Sequence, residues 1–180
     1  MYGYGDYFDE TLIKKAYKNV GESLDEYVKL AELILEDYAG LKGLGTEEGL
    51  FSRGLLISEE EMKEYFVNHP ALRDKDAYFY IMGDMVEQAL YHIKSREEAT
   101  EDKKILPFCN IRESFGLTDP MLVALTFAYL SHKSRGYERI FGFLQDDIDS
   151  TEPTIGLVLS VCSRVFSVNV PSPYDFISEK

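Results

Sequence analysis

A mostly α-helical fold is predicted, with a multi-helix N-terminal region leading into a compact helical domain, and three observations predict it. Apolar residues recur at three- and four-residue spacing in most segments. Helix-start signals precede these runs, and glycine or proline closes them. A competing strand signal, from β-branched residues, arises in one segment, 155–166.

Residues 9–19 and 23–38 carry the first two helical patterns, with Gly21 between them. In the second, Ser23, Leu24, Asp25 and Glu26 fit a capping box, where the hydroxyl and the carboxylate satisfy orphan amides. Leu24, Tyr27, Val28, Ala31, Leu35 and Tyr38 then form one inward stripe. Five glycines at positions 40, 43, 45, 49 and 54 read as a loop over 40–54, because so much backbone freedom leaves no regular element standing. Ser58 with Glu61 opens another capping box, and Met62, Tyr65 and Phe66 face inward until Pro70 stops that helix. From Asp74 or Asp76 a long helix runs with Tyr78, Ile81, Met82, Met85, Val86, Ala89, Leu90 and Ile93 inside, the strongest periodicity in the chain. The polar run 96–104 follows and reads as a boundary, giving an N-terminal region over 1–98 and a compact domain over 105–170.

Within that second region, Pro107 and Gly116 bracket a short helix presenting Phe108, Ile111 and Phe115, by the usual proline-start, glycine-stop asymmetry. Thr118 or Asp119 caps the next, with Pro120 in its first turn. Its near-continuous apolar run over 121–130 predicts burial on most sides and a central position. Tyr137, Ile140, Phe141 and Leu144 share one face of a helix ending at Gln145. For 154–165 a helix is preferred to a strand, with Ile155, Val158, Leu159, Cys162, Val165 and Phe166 on its face, and 171–180 reads as a linker or tail.

Charge then narrows the function classes. The 180 residues hold 19 Lys and Arg against 32 Asp and Glu, a formal net charge of −13. Nucleic-acid binding by phosphate neutralisation needs a positive face, so neither nucleic acid nor an anionic membrane is an expected partner. The apolar run 121–130 is far shorter than the ~20 residues that span a bilayer. The N-terminal residues lack the basic and apolar regions of an export signal, and Cys109 and Cys162, set in apolar surroundings, read as buried free thiols. A cytoplasmic location is expected.

Catalytic and cofactor motifs fail on inspection. The run from Gly40 to Thr46 lacks the Gly-Lys-Ser/Thr ending of a phosphate loop and follows a helix, so it reads as a connector. Around Ser52 the first glycine stands one residue too far away for a nucleophile elbow. His69, His92 and His132 lack the i, i+4 spacing that would aim two rings at a metal and read as surface or helix-terminal residues. Asp146, Asp147, Asp149 and Glu152 cluster, yet a calcium loop counted from Asp147 meets Glu152 where glycine belongs and Val158 where glutamate belongs. No catalytic residue, metal ligand or cofactor is expected.

Two stretches taken together do carry a resemblance. They are 51–61 (Phe-Ser-Arg-Gly-Leu-Leu-Ile-Ser-Glu-Glu-Glu) and the set Phe115-Gly116-Leu117-Thr118-Asp119, 137–147 (Tyr-Glu-Arg-Ile-Phe-Gly-Phe-Leu-Gln-Asp-Asp) and Pro153-Thr154. This pattern resembles the N-terminal region of a family of bacterial AAA-type ATPases, where a helical region ending in a variant winged-helix domain precedes the ATPase module. The first fifty residues match only in being helical. The resemblance implies a winged-helix-like fold for the second domain, and a non-catalytic domain that recruits a protein client or docks on its own ATPase module in cis. The phosphate loop and acidic metal-binding strand motif of that module have no counterpart here. The family's basic run after the Asp-Asp pair is also missing, since Ile148, Asp149, Ser150, Thr151 and Glu152 stand there. Tyr137, Glu138, Arg139, Asp146 and Asp147 then read as either a structural network or a docking surface. A stand-alone acidic protein-binding or assembly factor is the alternative function.

Overall fold

The computed structural model describes residues 4–42, 78–166, 172 and 174. Among these residues there are six α-helices and no strand: α1 (Val20–Leu41), α2 (Tyr78–Ala99), α3 (Pro107–Phe115), α4 (Asp119–Lys133), α5 (Arg135–Leu144) and α6 (Ile155–Val165). A mostly α fold is thus what the chain adopts. The Ser58 helix, Pro70, Ser52, His69 and most of the glycine-rich loop lie outside the described residues.

The beginning of the chain departs from expectation. Residues 9–19 form no α-helix; a single 3-10 turn, Glu10–Leu12, is held by Asp9, whose carboxylate accepts from the Thr11 amide at 2.9 Å. Around it the chain from Tyr7 to Asn19 runs as an irregular strap of turns and bends, with Lys14 in the left-handed region at φ 62°, and Gly21 sits inside the first turn of α1 instead of separating two helices. The cap is Asn19: its side chain accepts from the Glu22 amide at 2.9 Å, and the Glu22 carboxylate reaches back to the Lys18 amide at 3.0 Å. Ser23 and Glu26 do not form the expected box. The Ser23 hydroxyl bonds the carbonyls of Val20 and Ile105, and Glu26 turns into the interior. The same polar-x-x-Glu pattern occurs four residues earlier, and that copy caps the helix. At the other end α1 runs through Gly40 to Leu41, so the connection starts later than Gly40.

The central helix is α1, and not α4 as the hydrophobic count suggests. It packs against all five other described helices, and Leu33, Ile34, Leu35 and Ala39 are fully buried. On α4 the buried residues Leu122, Val123, Phe127 and Leu130 keep to one side, while Ala128, Tyr129 and His132 are exposed. Helix α2 buries Met82, Met85, Val86, Ala89, Leu90 and Ile93 as its spacing predicts. One hydrophobic cluster draws on Tyr7 and Phe8 of the strap and on all six helices; Tyr17, Leu106 and Cys109 form a satellite beside it.

Local signals decide the later boundaries. Pro107 opens α3, and Gly116 closes it in the left-handed region at φ 62°, where a Cβ would be strained. Phe108 is buried there, but Phe115 is 67% exposed, contrary to expectation, because it lies in the last turn beyond the reach of the core. Thr118 is the cap residue of α4. On α5 Tyr137, Ile140, Phe141 and Leu144 are all buried, and Phe127 and Phe141 meet with ring centroids 5.9 Å apart. Helix α6 is a helix, as preferred: the Thr154 hydroxyl accepts from the Leu157 amide at 3.2 Å, although Ile155 faces out at 39% exposure.

Between α5 and α6 the chain turns back over its own helix. A Cβ at Gly142 would lie 3.1 Å from the Asp147 carbonyl oxygen and 3.5 Å from Ile148 Cα. Gly142→Val is therefore expected to destabilise the fold by about 2 kcal/mol through overpacking, read as a lower urea midpoint; an unchanged midpoint would show that the loop backbone yields freely.

Candidate functional site

Helix α1 carries acids on faces that point inward, and each of its buried acids has a partner. The largest group surrounds Arg96 of α2, whose side chain is only 1% exposed. Its Nη1 donates to Glu26, Nη2 to Glu22 Oε1 at 2.5 Å, and Nε to the Lys15 carbonyl of the strap at 3.0 Å. The guanidinium also stands 4.1 Å from the centroid of the Tyr17 ring, a cation–π distance. Tyr17 in turn donates its hydroxyl to Glu26 at 2.5 Å and its amide to the Thr100 hydroxyl at 2.9 Å. His92, fully buried, places Nε2 at 3.1 Å from Glu26 Oε1 and tilts against the Phe8 ring. Because a carboxylate only accepts, Nε2 carries the proton.

These contacts set the charge states. Burial alone would raise Glu26, but the hydrogen bonds from His92 and Tyr17 and the charge of Arg96 outweigh it and hold the carboxyl below its ordinary value. Glu22 is held low chiefly by its hydrogen bond from Arg96. Burial pushes the Tyr17 phenol well up, with Glu26 adding to it. Further pairs repeat the arrangement: Tyr7 donates to Glu36, Arg164 Nε of α6 to Asp37 at 2.7 Å, and Tyr137 of α5 to Glu32. Glu32 differs in direction. Burial raises its carboxyl, and the Tyr137 hydroxyl and the charges of Lys133 and Lys29 offset this only in part.

An open groove of about 620 Å³ runs along this side of α1, with Glu22, Asp25, Lys29, Glu32, Arg96 and Lys133 among its lining. Acids and bases share its lining, so it presents a polar, mixed-charge surface. Among the described residues no three His, Cys, Asp or Glu side chains converge so as to hold a metal ion.

The residues singled out in the sequence differ in burial. Tyr137 is buried and tied to α1, Glu138 and Arg139 are half-buried on α5, and Asp146 and Asp147 are exposed in the loop after it. That loop is built by a residue the motif contains but the sequence reading passed over. Gln145 donates from Nε2 to the carbonyls of Ser150 at 3.3 Å and Glu152 at 2.9 Å, and its Oε1 accepts from the Thr154 amide at 2.8 Å. Asp146 takes the left-handed region at φ 57°, and Asp147 accepts from the Asp149 amide at 3.1 Å. The result displays Ile148, 63% exposed, among aspartates. His92 corrects the surface reading of the histidines, while His132 is exposed in the last turn of α4. Cys109 and Cys162 are buried free thiols, pushed up to about 11 and about 12 respectively, in both cases mainly by burial. Apart from Tyr17, nine residues before Glu26, the partners of the buried α1 acids were missed because they lie 29 to 127 residues away. The one local hint was the placing of Glu26 and Glu36 at helical spacing beside Tyr27 and Leu35.

Comparison with known proteins gives one match: the family described as a variant winged helix domain matches residues 47–170. No curated protein and no solved structure matches.

Arg96→Ala is expected to cost about 3–5 kcal/mol, since it strands Glu26 as an uncompensated buried charge; a urea denaturation curve checks it, and a loss under ~1 kcal/mol would show that water reaches the site. Glu32 gives a pH test. Its folded value lies above its unfolded one, so its contribution is full below the unfolded value and is lost as pH rises through the folded value. Glu32→Gln keeps an acceptor for Tyr137 without the charge. It should raise the thermal midpoint near pH 7, with the gain fading towards ~pH 4 as the wild-type carboxyl protonates; a gain that grows on acidification would contradict this.

Proposed function

Since the chain belongs to the variant winged helix domain family, whose match spans more than half of its length, we propose that it is a non-catalytic protein-binding domain working alongside an AAA-type ATPase module. Its task is to recruit a protein client or to dock on that module in cis. The observation that carries this reading is the loop after α5, where a backbone fixed by Gln145 and Gly142 holds Ile148 exposed among Asp146, Asp147 and Asp149. An apolar side chain kept in water by a rigid loop is suited to a protein surface that offers it a pocket.

Three further features support the reading. The stretch that builds this loop, 137–147, is the one that carries the resemblance to the N-terminal regions of bacterial AAA-type ATPases, and it falls within the matched residues. The formal net charge of −13 disfavours duplex DNA as the partner, although winged helices often bind it. Helix α5 carries Arg135 and Arg139 as its cations, and the aspartates follow directly. The setting is cytoplasmic, in keeping with the free thiols Cys109 and Cys162. Among the described residues no helix is long and apolar enough to cross a membrane.

A second reading, a stand-alone acidic binding or assembly factor, draws on the same loop and charge without an ATPase. Mass spectrometry of the endogenous product, captured with an antibody to this domain, separates the two. ATPase-module peptides in covalent continuity with the 180 residues are the expected result; a mass matching the 180-residue chain alone, with no ATPase co-captured, would overturn the leading reading in favour of the second.

A further inference from the structure

A second, smaller pocket of about 190 Å³ lies where the end of α2 meets α3, away from the groove on α1 and from the loop after α5. Its centre of interest is Arg112. One arm of the guanidinium is spoken for: Nη2 donates to Glu97 Oε2 at 2.6 Å and reaches Cys109 Sγ at 3.6 Å. The other arm, Nη1, is buried and has no hydrogen-bond partner.

The acceptors around it are engaged with other donors, and none lies within hydrogen-bond distance of Nη1. Glu97 Oε1 already accepts from the Tyr27 hydroxyl at 2.6 Å, and the Glu97 carbonyl accepts from Lys103 Nζ at 2.9 Å. Glu113 takes the Cys109 thiol at 3.4 Å. A buried N–H of a charged group left without an acceptor is costly, so the position calls for an acceptor from outside the chain. The space is several times the ~30 Å³ that one water occupies in the liquid.

We propose that this pocket binds a single carboxylate group, with Arg112 Nη1 as its donor and the ammonium groups of Lys94 and Lys103 at the rim. Guanidinium favours carboxylate and phosphate geometry over a spherical ion. The charge count chooses between those two. Lys94, Lys103 and Arg112 are matched by Glu97, Glu98 and Glu113 around the lining, and Lys94 is also paired with Asp119 at 2.8 Å, so a second negative charge on the ligand would add only repulsion. A monoanionic carboxylate is therefore favoured over a phosphate dianion, whether it comes from a free small acid or from the C-terminus of a peptide.

The test follows the side-chain resonances of ¹⁵N-arginine-labelled protein during titration at constant ionic strength. Acetate and N-acetylglycine are the probes, with chloride and inorganic phosphate as controls. One arginine signal should move saturably with acetate, half-saturating at about 1–10 mM, as suits one charge-assisted contact set. Arg112→Lys should lose it. Because that variant weakens the bond to Glu97, Cys109→Met serves as a second: it fills the pocket, leaves the guanidinium in place, and should abolish the shift while the protein stays folded by thermal melting. Tighter binding of N-acetylglycine identifies a chain terminus as the source, and equal binding a free acid; both support the site. A response no greater than that to chloride, a larger response to phosphate, or an unaltered response in folded Cys109→Met would overturn it and leave ordered water as the occupant.

Discussion

A guanidinium withdrawn from water is the constraint around which this fold closes. Arg96 cannot lose its charge and cannot leave its five donors unsatisfied, and at 1% exposure it finds acceptors only on other parts of the chain. Helix α1 gives Glu22 and Glu26, the strap gives the Lys15 carbonyl, and Tyr17 gives a ring face. Helix α2 must therefore arrive against a strap and a helix start that lie 70 to 81 residues earlier in the chain. Replacing such a cluster by apolar side chains often leaves stability unchanged or higher. What it supplies is selectivity among packings, because a slip of α2 by one turn would carry the guanidinium about 5.4 Å from its acceptors.

The same device recurs along α1 with a different partner for each neighbour. Glu22 and Glu26 answer α2, Glu32 answers Tyr137 on α5, Glu36 answers Tyr7 on the strap, and Asp37 answers Arg164 on α6. An apolar stripe fixes which face of a helix is inside but only weakly fixes its height. Discrete hydrogen-bonded pairs fix the height, since each is lost over a displacement of an ångström or so. The acidic composition thus has two uses here. Part of it is solvated surface charge, and part of it, on the most buried helix, sets the register of the whole bundle.

This division explains what the sequence made legible. Caps and breaks rest on interactions within four residues, so Pro107 and Gly116 could be read directly and the start of α4 narrowed to Thr118 or Asp119. The spacing of Met82, Val86, Ala89 and Ile93 likewise announced α2. Long-range pairing left no such trace. Glu26 looked like half of a capping box because the box and a buried acid beside a helix start share one pattern, and only Arg96 and His92, 70 and 66 residues away, distinguish them. Ranking helices by apolar content put α4 at the centre for the same reason: the count treats Glu26, Glu36 and Asp37 as surface residues, whereas each is buried with a partner. The winged-helix identity of residues 47–170 was legible through motif resemblance and not through any physical signal.

The motif that carried the resemblance combines two jobs in one stretch. Gly142 is bare because the backbone of Asp147 and Ile148 passes within contact of it, and Gln145 spans the loop by bonding carbonyls and an amide five to nine residues ahead. Both act within the chain and would be required of any protein with this turn, whatever it binds. Asp147 and Ile148, by contrast, are displayed, and nothing in the packing of the core demands an isoleucine at 63% exposure. A structural network and a docking surface are therefore not competing accounts of residues 137–147. The first is borne by the residues that face inward, Tyr137, Gly142 and Gln145, and the second, under the proposed function, by what they hold out to solvent.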